Sequence, residues 1–266
     1  MGNEGAVLRV GQAVHGTSMS FDQWINEATC TPLVGWDLSF LKGRYLETPP
    51  SWDFRSRIQE FLPQASAMLD MGTGGGEFLQ SLGSLPADTI ATEGFEPNVA
   101  VASRNLKHSR ISVVDVSTGP SLPFPDNRFD LVMNRHEAFE ASAVARVLKP
   151  KGRFVTQQVG GQDMIGLNQL IQDEVNVSFA GWNKDFVVDQ LEGSGFDVVN
   201  QMEEYPPVEF LDLAAVIHML NITPWQIADF SVQRYRDRLY RIYEIIQQDG
   251  KLTVHSHRFF VEAVRR

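Results

Sequence analysis

Short apolar strands alternate with helical stretches through the middle of this 266-residue chain, a glycine-rich turn follows the first of those strands, and acidic residues close the next two. These three observations predict an α/β protein with a mostly parallel sheet, because short Val/Ile-rich strands separated by helices are the mark of βαβ units. Ligands of such sheets sit at the carboxyl ends of the strands.

The elements follow in order. Trp52–Leu62 has an amphipathic helical pattern, with Pro49-Pro50 before it and Pro63 closing it. Ala67–Asp70 reads as the first core strand and Glu77–Leu82 as the helix after the glycine turn. A strand at Thr89–Glu93, a helix at Asn98–Leu106 and a strand at Ile111–Val114, ending on Asp115, come next. The fourth strand is Phe129–Asn134, followed by a helix near Glu140–Leu148, a turn at Lys149-Pro150-Lys151-Gly152 and a fifth strand, Arg153–Gln158. Further on, Asn183–Gly193 predicts a helix stopped by Gly195, then a strand at Phe196–Met202, and His257–Val264 is the last strand. About fifty residues separate these last two strands and include a helical run, Ser231–Gln248; insertions of that length in α/β proteins are usually functional. Residues 1–19 are Gly-rich and aperiodic and are expected to form a flexible tail, with residues 20–266 as a single domain. Within it, 20–63 is expected as a helical cap, 64–160 as the ligand-binding core, and 161–266 as a C-terminal half with a lid at about 205–252.

Composition narrows the function classes. With 43% hydrophobic and 21% charged residues the chain is globular, not disordered, collagenous or a coiled-coil rod. No uninterrupted apolar run of about 18 residues is present to span a membrane. A lone cysteine, Cys30, forms no internal disulfide or Cys-based zinc site and suits a reducing cytoplasm; it is expected to be a small buried residue. The net charge of −10 opposes a nucleic-acid partner, although residues 225–266 hold eight Lys/Arg against five Asp/Glu.

The chemistry concentrates in Asp70-Met71-Gly72-Thr73-Gly74-Gly75-Gly76-Glu77. Glycines let the backbone turn tightly and approach a ligand with no Cβ in the way. The dinucleotide pattern G-x-G-x-x-G would place its third glycine where Glu77 stands, and no Walker lysine is present. Asp70 beside the loop repels a pyrophosphate and attracts an ammonium, so the loop suits a ligand with a cationic amino-acid end. Glu93 is placed to accept both hydroxyls of a ribose, with Glu96 as a competitor and a helix N-cap as the structural alternative. Asp115, with Val116 beside it, is placed to meet an adenine amine, or else to form an Asx turn.

On these residues the segment from about 66 to 160 resembles the class I S-adenosylmethionine-dependent methyltransferases. The glycine loop is similar to that family's first motif, Glu93 to its acidic second-strand end, and Asp115 to its adenine-side acid. Leu122-Pro123-Phe124-Pro125-Asp126-Asn127-Arg128-Phe129-Asp130 and Val147-Leu148-Lys149-Pro150-Lys151-Gly152-Arg153 are similar to the approaches to its fourth and fifth strands. The resemblance implies a Rossmann-like seven-stranded sheet with the last strand antiparallel and helices on both faces. It implies S-adenosyl-L-methionine as methyl donor, S-adenosyl-L-homocysteine as product, and cofactor contacts from Asp70, Met71, Gly72, Thr73, Gly74, Gly76, Glu93, Asp115, Val116, Asn134 and Arg135. The second-strand acid departs from the commoner Asp.

The fourth-strand end, Asn134-Arg135-His136-Glu137, is where that fold presents side chains to the methyl group. The Asp/Asn-Pro-Pro-aromatic motif that would indicate exocyclic-amine methylation and the Pro-Cys nucleophile that would indicate cytosine-C5 chemistry are both absent there. His136 is the first candidate base, because imidazole titrates near neutrality, and Glu137 the second; a structural histidine is the alternative. Arg135 is read either as a carboxylate contact or as a structural ion-pair member. Gln157 and Gln158 are candidates for orienting an acceptor, and Trp24, Trp36, Tyr45 and Trp52 for closing over it or packing in the core. Arg234, Arg238 and Arg241 recur at helical spacing as a basic stripe. His255 and His257 lack accompanying carboxylates in sequence, so no metal site is expected. The expected acceptor is a small molecule. An RNA base is the runner-up, and a silent cofactor-binding module or a nicotinamide oxidoreductase follows.

Overall fold

A computed structural model describes residues 19–32, 38–109, 111–119, 121–175 and 177–266. The tail expected at 1–19, apart from Met19, and Trp36 lie outside the described residues. The elements are α1 (Phe21–Cys30), β1 (Tyr45–Glu47), α2 (Phe54–Phe61), β2 (Ala67–Met71), α3 (Glu77–Gln80), β3 (Asp88–Glu93), α4 (Glu96–Leu106) and β4 (Ser112–Asp115). They continue as β5 (Phe129–Arg135), α5 (Ala141–Val147), β6 (Leu148–Val159), α6 (Ile165–Ile171), α7 (Lys184–Gly193) and β7 (Phe196–Glu204). The last are β8 (Pro207–Phe210), α8 (Leu213–Ile222), α9 (Arg236–Asp249), β9 (Leu252–His255) and β10 (Arg258–Arg265).

The chain divides into two compact units. The larger runs over Leu46–Glu209 and Thr253–Arg266, the smaller over the described residues up to Tyr45 and Phe210–Leu252. In the larger unit seven strands form one sheet in the order β4-β3-β2-β5-β6-β10-β7. β2 pairs parallel to β3 and β5, β3 to β4, and β5 to β6, whereas β10 runs antiparallel to both β6 and β7. This is the Rossmann-like sheet with a reversed last strand that the sequence predicts.

Alternation along each strand sends successive side chains to opposite faces. Leu69, Val132, Phe154, Phe259 and Val261 face one way, onto Ala141, Val144 and Val147 of α5 and Val187 and Leu191 of α7. Met68, Leu131, Met133, Val155 and Phe260 face the other, onto Phe54 and Ile58 of α2, Leu79 of α3, and Ala102 and Leu106 of α4. The helices start where their caps dictate. Asp53 accepts the Ser56 N–H at 3.1 Å ahead of α2, and Asn183 accepts the Phe186 N–H at 2.9 Å ahead of α7.

Three expectations are corrected in detail. The turn at 149–152 is a bulge inside β6: Leu148 pairs with Phe129 and Arg153 with Leu131, and Lys151 takes φ +66° to absorb the intervening residues. The helix after the glycine loop stops at Gln80, two residues early, where Ser81 closes the last turn. Cys30, expected to be buried, is exposed at the end of α1.

The insertion contributes most of the smaller unit. Its α8 is hydrophobic on every side and buried along nearly its whole length, with Asp212 capping it through the Ala215 N–H at 2.8 Å. Leu239, Ile242 and Ile246 form the buried stripe of α9, as their spacing predicts. Arg234 lies before α9, paired with Asp229 and laid over the Tyr235 ring, so the arginine stripe does not continue along one helix. Tyr45 begins β1, which belongs to a small sheet ordered β1-β8-β9.

Candidate active site

Parallel register brings the predicted residues to one end of the sheet. Met71 pairs with Thr92 and Asn134, Glu93 with Asp115, Asn134 with Thr156, and Arg135 with Gln157. The glycine loop leaves β2 at that end, Val116 follows β4, and His136 and Glu137 follow β5.

Gly72 and Gly74 are required by geometry. Gly72 has φ +69°, and a Cβ there would lie 2.5 Å from the Cβ of Glu137, whose carboxylate also passes 3.7 Å from the Cβ position of Gly94. Gly74 has φ +61° and faces open space. Both conformations belong to the left-handed region that side chains disfavour. The loop is tied down from below: Thr73 N–H donates to the Thr92 carbonyl at 2.9 Å. Glu93 is buried, and its carboxylate accepts from Gly74 N–H at 2.7 Å and from Phe95 N–H at 2.8 Å. Phe95, not Glu93, occupies the N-cap of α4, so the predicted N-cap alternative does not describe Glu93. Glu96 is exposed in the first turn of α4. Asp115 forms the Asx turn: the Ser117 hydroxyl and the Ser117 N–H, the latter at 2.8 Å, both bond its carboxylate and hold its carboxyl below the usual range.

Asp70 lies beneath the loop, 4% exposed. Burial pushes its carboxyl up to about 7, against the opposing pull of the Thr73 hydroxyl and the Arg135 cation, and the Glu93 charge adds to the rise. Arg135 stacks over the Phe78 ring at 4.3 Å, and burial lowers its guanidinium while the Asp70 charge supports it. Burial, then the Glu93 charge, raises Glu137. His136 is held at φ +65° with its N–H on the Gln157 carbonyl at 2.8 Å. Protein packed about the ring, then the cations Arg135 and Arg258, lower the imidazole below its ordinary value. The residue keeps an exposed face, where water limits the depth of that shift, and the ring is neutral at pH 7.

A layer behind these residues was not legible in the sequence. Gln158 Nε2 donates to Asn134 Oδ1 at 2.5 Å, to Thr156 Oγ1 at 2.8 Å and to the Glu137 carbonyl at 3.0 Å, binding two strand ends together. Trp52 Nε1–H donates to Gln157 Oε1 at 2.8 Å, across 105 residues of chain. His257 is fully buried; its Nδ1 accepts Gln162 N–H at 3.1 Å, which leaves Nε2–H to donate to Glu203 at 2.9 Å. His255 lies on β9, and among the described residues no group of three or more His, Cys, Asp or Glu is arranged to hold a metal.

The residues fit an adenosyl amino-acid ligand on two observations. Asn134 is fully buried at the strand end, its Oδ1 already occupied and its Nδ2 without a partner, and the loop offers open space at Gly74. A buried donor left unpaired costs about 1–3 kcal/mol, a cost that a bound acceptor relieves.

Residues 69–156 match a family model described as a methyltransferase domain. This segment, about a third of the chain, is similar to methyltransferase domains. The uncharacterized methyltransferase YcgJ of Bacillus subtilis (strain 168) is 33% identical over 97 residues, a match covering 33% of this chain and 38% of that protein. The chain thus aligns with less than half the length of this curated relative. Among solved structures, a protein from Bacillus halodurans C-125 assigned to the methyltransferases superposes with a TM-score of 0.57 at 16% identity, covering 79% of this chain and 97% of that one. The YcgJ structure superposes with a TM-score of 0.56 at 16% identity, covering 80% and 98%. These likenesses show the fold. The methyltransferase domain implies S-adenosylmethionine as its cofactor, and no helix among the described residues is long and apolar enough to cross a membrane.

Proposed function

We propose that the chain transfers a methyl group from S-adenosylmethionine to a small-molecule acceptor at the carboxyl ends of β2, β3, β4 and β5. The observation that carries this reading is the loop Asp70–Gly76 set beside Glu93, Asp115 and Asn134 in the register of a seven-stranded sheet with a reversed last strand. Asp70 faces the cationic amino-acid end, the Cβ-free stretch Gly72–Gly74 with Met71, Thr73 and Gly76 lets the backbone approach the ligand, Glu93 takes the ribose hydroxyls, and Asp115 with Val116 flanks the adenine. Asn134 and Arg135 supply donors at the amino-acid end.

When bound, the cofactor supplies an electrophilic sulfonium methyl that needs little further activation. The protein's contribution is orientation, which is worth several kcal/mol when reacting atoms are held in line and in contact. His136 and Glu137 are the groups beside the acceptor. Glu137, raised by burial, is the better proton acceptor near pH 7, because the imidazole beside it is lowered. The net charge of −10 and the broken arginine stripe support a small molecule over RNA as acceptor.

A thermal-shift series with S-adenosylmethionine, S-adenosylhomocysteine, NAD and NADP tests the reading. A ligand at about 100 times its Kd stabilises the fold by roughly 2.7 kcal/mol, a visible rise in Tm. Shifts with the two adenosyl-sulfur ligands alone are expected; a shift with a nicotinamide cofactor alone makes the protein an oxidoreductase.

A further inference from the structure

We infer that Trp52 and Gln157 are positioning residues that fix His136 as its Nδ1–H tautomer, making it a hydrogen-bond donor at the strand ends and not a proton acceptor. The donor role toward a ligand rests on the methyltransferase reading; the tautomer does not.

Donor and acceptor chemistry decides the tautomer. An indole N–H only donates, so the Gln157 atom 2.8 Å from Trp52 Nε1 is the amide oxygen. The amide nitrogen of Gln157 therefore turns the other way, and it stands 3.1 Å from His136 Nε2. An amide nitrogen also only donates, so His136 Nε2 must present its lone pair. A neutral imidazole with an unprotonated Nε2 carries its proton on Nδ1. Protonating Nε2 would set two N–H groups against each other across that contact. Arg135 and Arg258, the charged groups that act on the ring, oppose the same protonation.

The geometry is held firmly enough for this to matter. Gln157 grips His136 twice, by its side chain and by the carbonyl that accepts the His136 N–H, and it pairs in register with Arg135. Trp52 is anchored in turn against the Phe260 ring, 6.1 Å between centroids. A proton leaving the methyl acceptor goes to Glu137 or to water, while Nδ1–H holds an acceptor lone pair.

Nitrogen-15 NMR of the full chain with labelled imidazoles tests this, His136 being assigned by the signal lost in His136→Asn. In the wild type, Nε2 of His136 is expected to be unprotonated and Nδ1 protonated, with no titration between about pH 5 and 8. Trp52→Phe keeps a ring against Phe260 but frees the Gln157 amide to turn, so the Nε2–H tautomer should appear and the imidazole pKa rise by about one unit or more. Gln157→Glu should raise it further by placing a carboxylate opposite the ring. An Nε2–H tautomer in the wild type, or a wild-type ring titrating at its ordinary value, overturns the inference without any variant having to fold. So does a folded Trp52→Phe protein with an unchanged tautomer. Failure of the methyltransferase reading is seen separately, as absence of a thermal shift with S-adenosylmethionine.

Discussion

Replacing Asp70 by Asn removes a buried ionisable group while keeping its size. The folded carboxyl sits at about 7 against an ordinary 3.8, with burial as the leading cause. A raised acid pKa means the native state binds a proton that the unfolded chain releases. The corresponding stability is fully present below pH 3.8 and is lost as pH rises through about 7. The shift is about three units, and at about 1.4 kcal/mol per unit the loss reaches roughly 4 kcal/mol as an upper figure. Urea denaturation of wild type and Asp70→Asn at intervals from about pH 5 to pH 8 should show the wild type losing stability relative to the variant, most steeply between 5 and 7. The same pair should differ in binding. A cationic ligand end recruits the ionised carboxylate, so wild-type affinity for S-adenosylmethionine should tighten by up to about tenfold for each unit that pH rises toward 7, and the variant should bind weakly with no such slope. Parallel denaturation profiles, or identical pH slopes of binding, would refute the placement of this charge beneath the loop.

Other perturbations probe the frame around it. Gly74→Val puts a β-branched residue at φ +61° in open space, so the fold should persist at a strain of about 1–3 kcal/mol while isothermal titration shows cofactor affinity abolished. Glu262 is fully buried on β10 between Arg57 and Arg153, so Glu262→Ala should lower unfolding free energy by about 3 kcal/mol, read from the urea midpoint at constant slope. Asp130 accepts from Ser66, Ala67 and Lys149, which together outweigh the opposing effect of burial and depress its carboxyl to about 2. That contribution is present above pH 3.8 and disappears as pH falls through about 2, so Asp130→Asn should flatten the acid limb of the stability profile measured by circular dichroism.

The core strands were legible because each carries its signal locally: Leu69, Val132 and Phe154 sit in short apolar runs bounded by turn residues. The glycine loop was legible for the same reason, since residues 70–76 alone specify its turn. The residues that define His136 chemically were not. Trp52 lies 105 positions from Gln157, and Gln157 lies 21 from His136, so no window of sequence holds the relay. Composition implies an imidazole at its ordinary value, whereas the protein packed about the ring, and then the charges of Arg135 and Arg258, act on it only after β5 and β10 enter one sheet. Helix α8 carries no periodic signal in sequence, because its residues are apolar on all sides. β8 and β9, four residues each, carry too few alternations to stand out.

The position of β10 has a consequence for how the chain is made. β7 lies at the sheet edge and touches no strand of that sheet but β10, which begins about fifty residues further along the chain. On a ribosome adding roughly 5–20 residues per second, β7 emerges several seconds before its partner exists. During that interval β6 is an open edge as well, since β10 is the strand that joins the two. Strands β2 to β6 with their helices can assemble during synthesis, but closure of the sheet waits for residues 258–265. Nascent chains arrested before that point should be the species most dependent on chaperones.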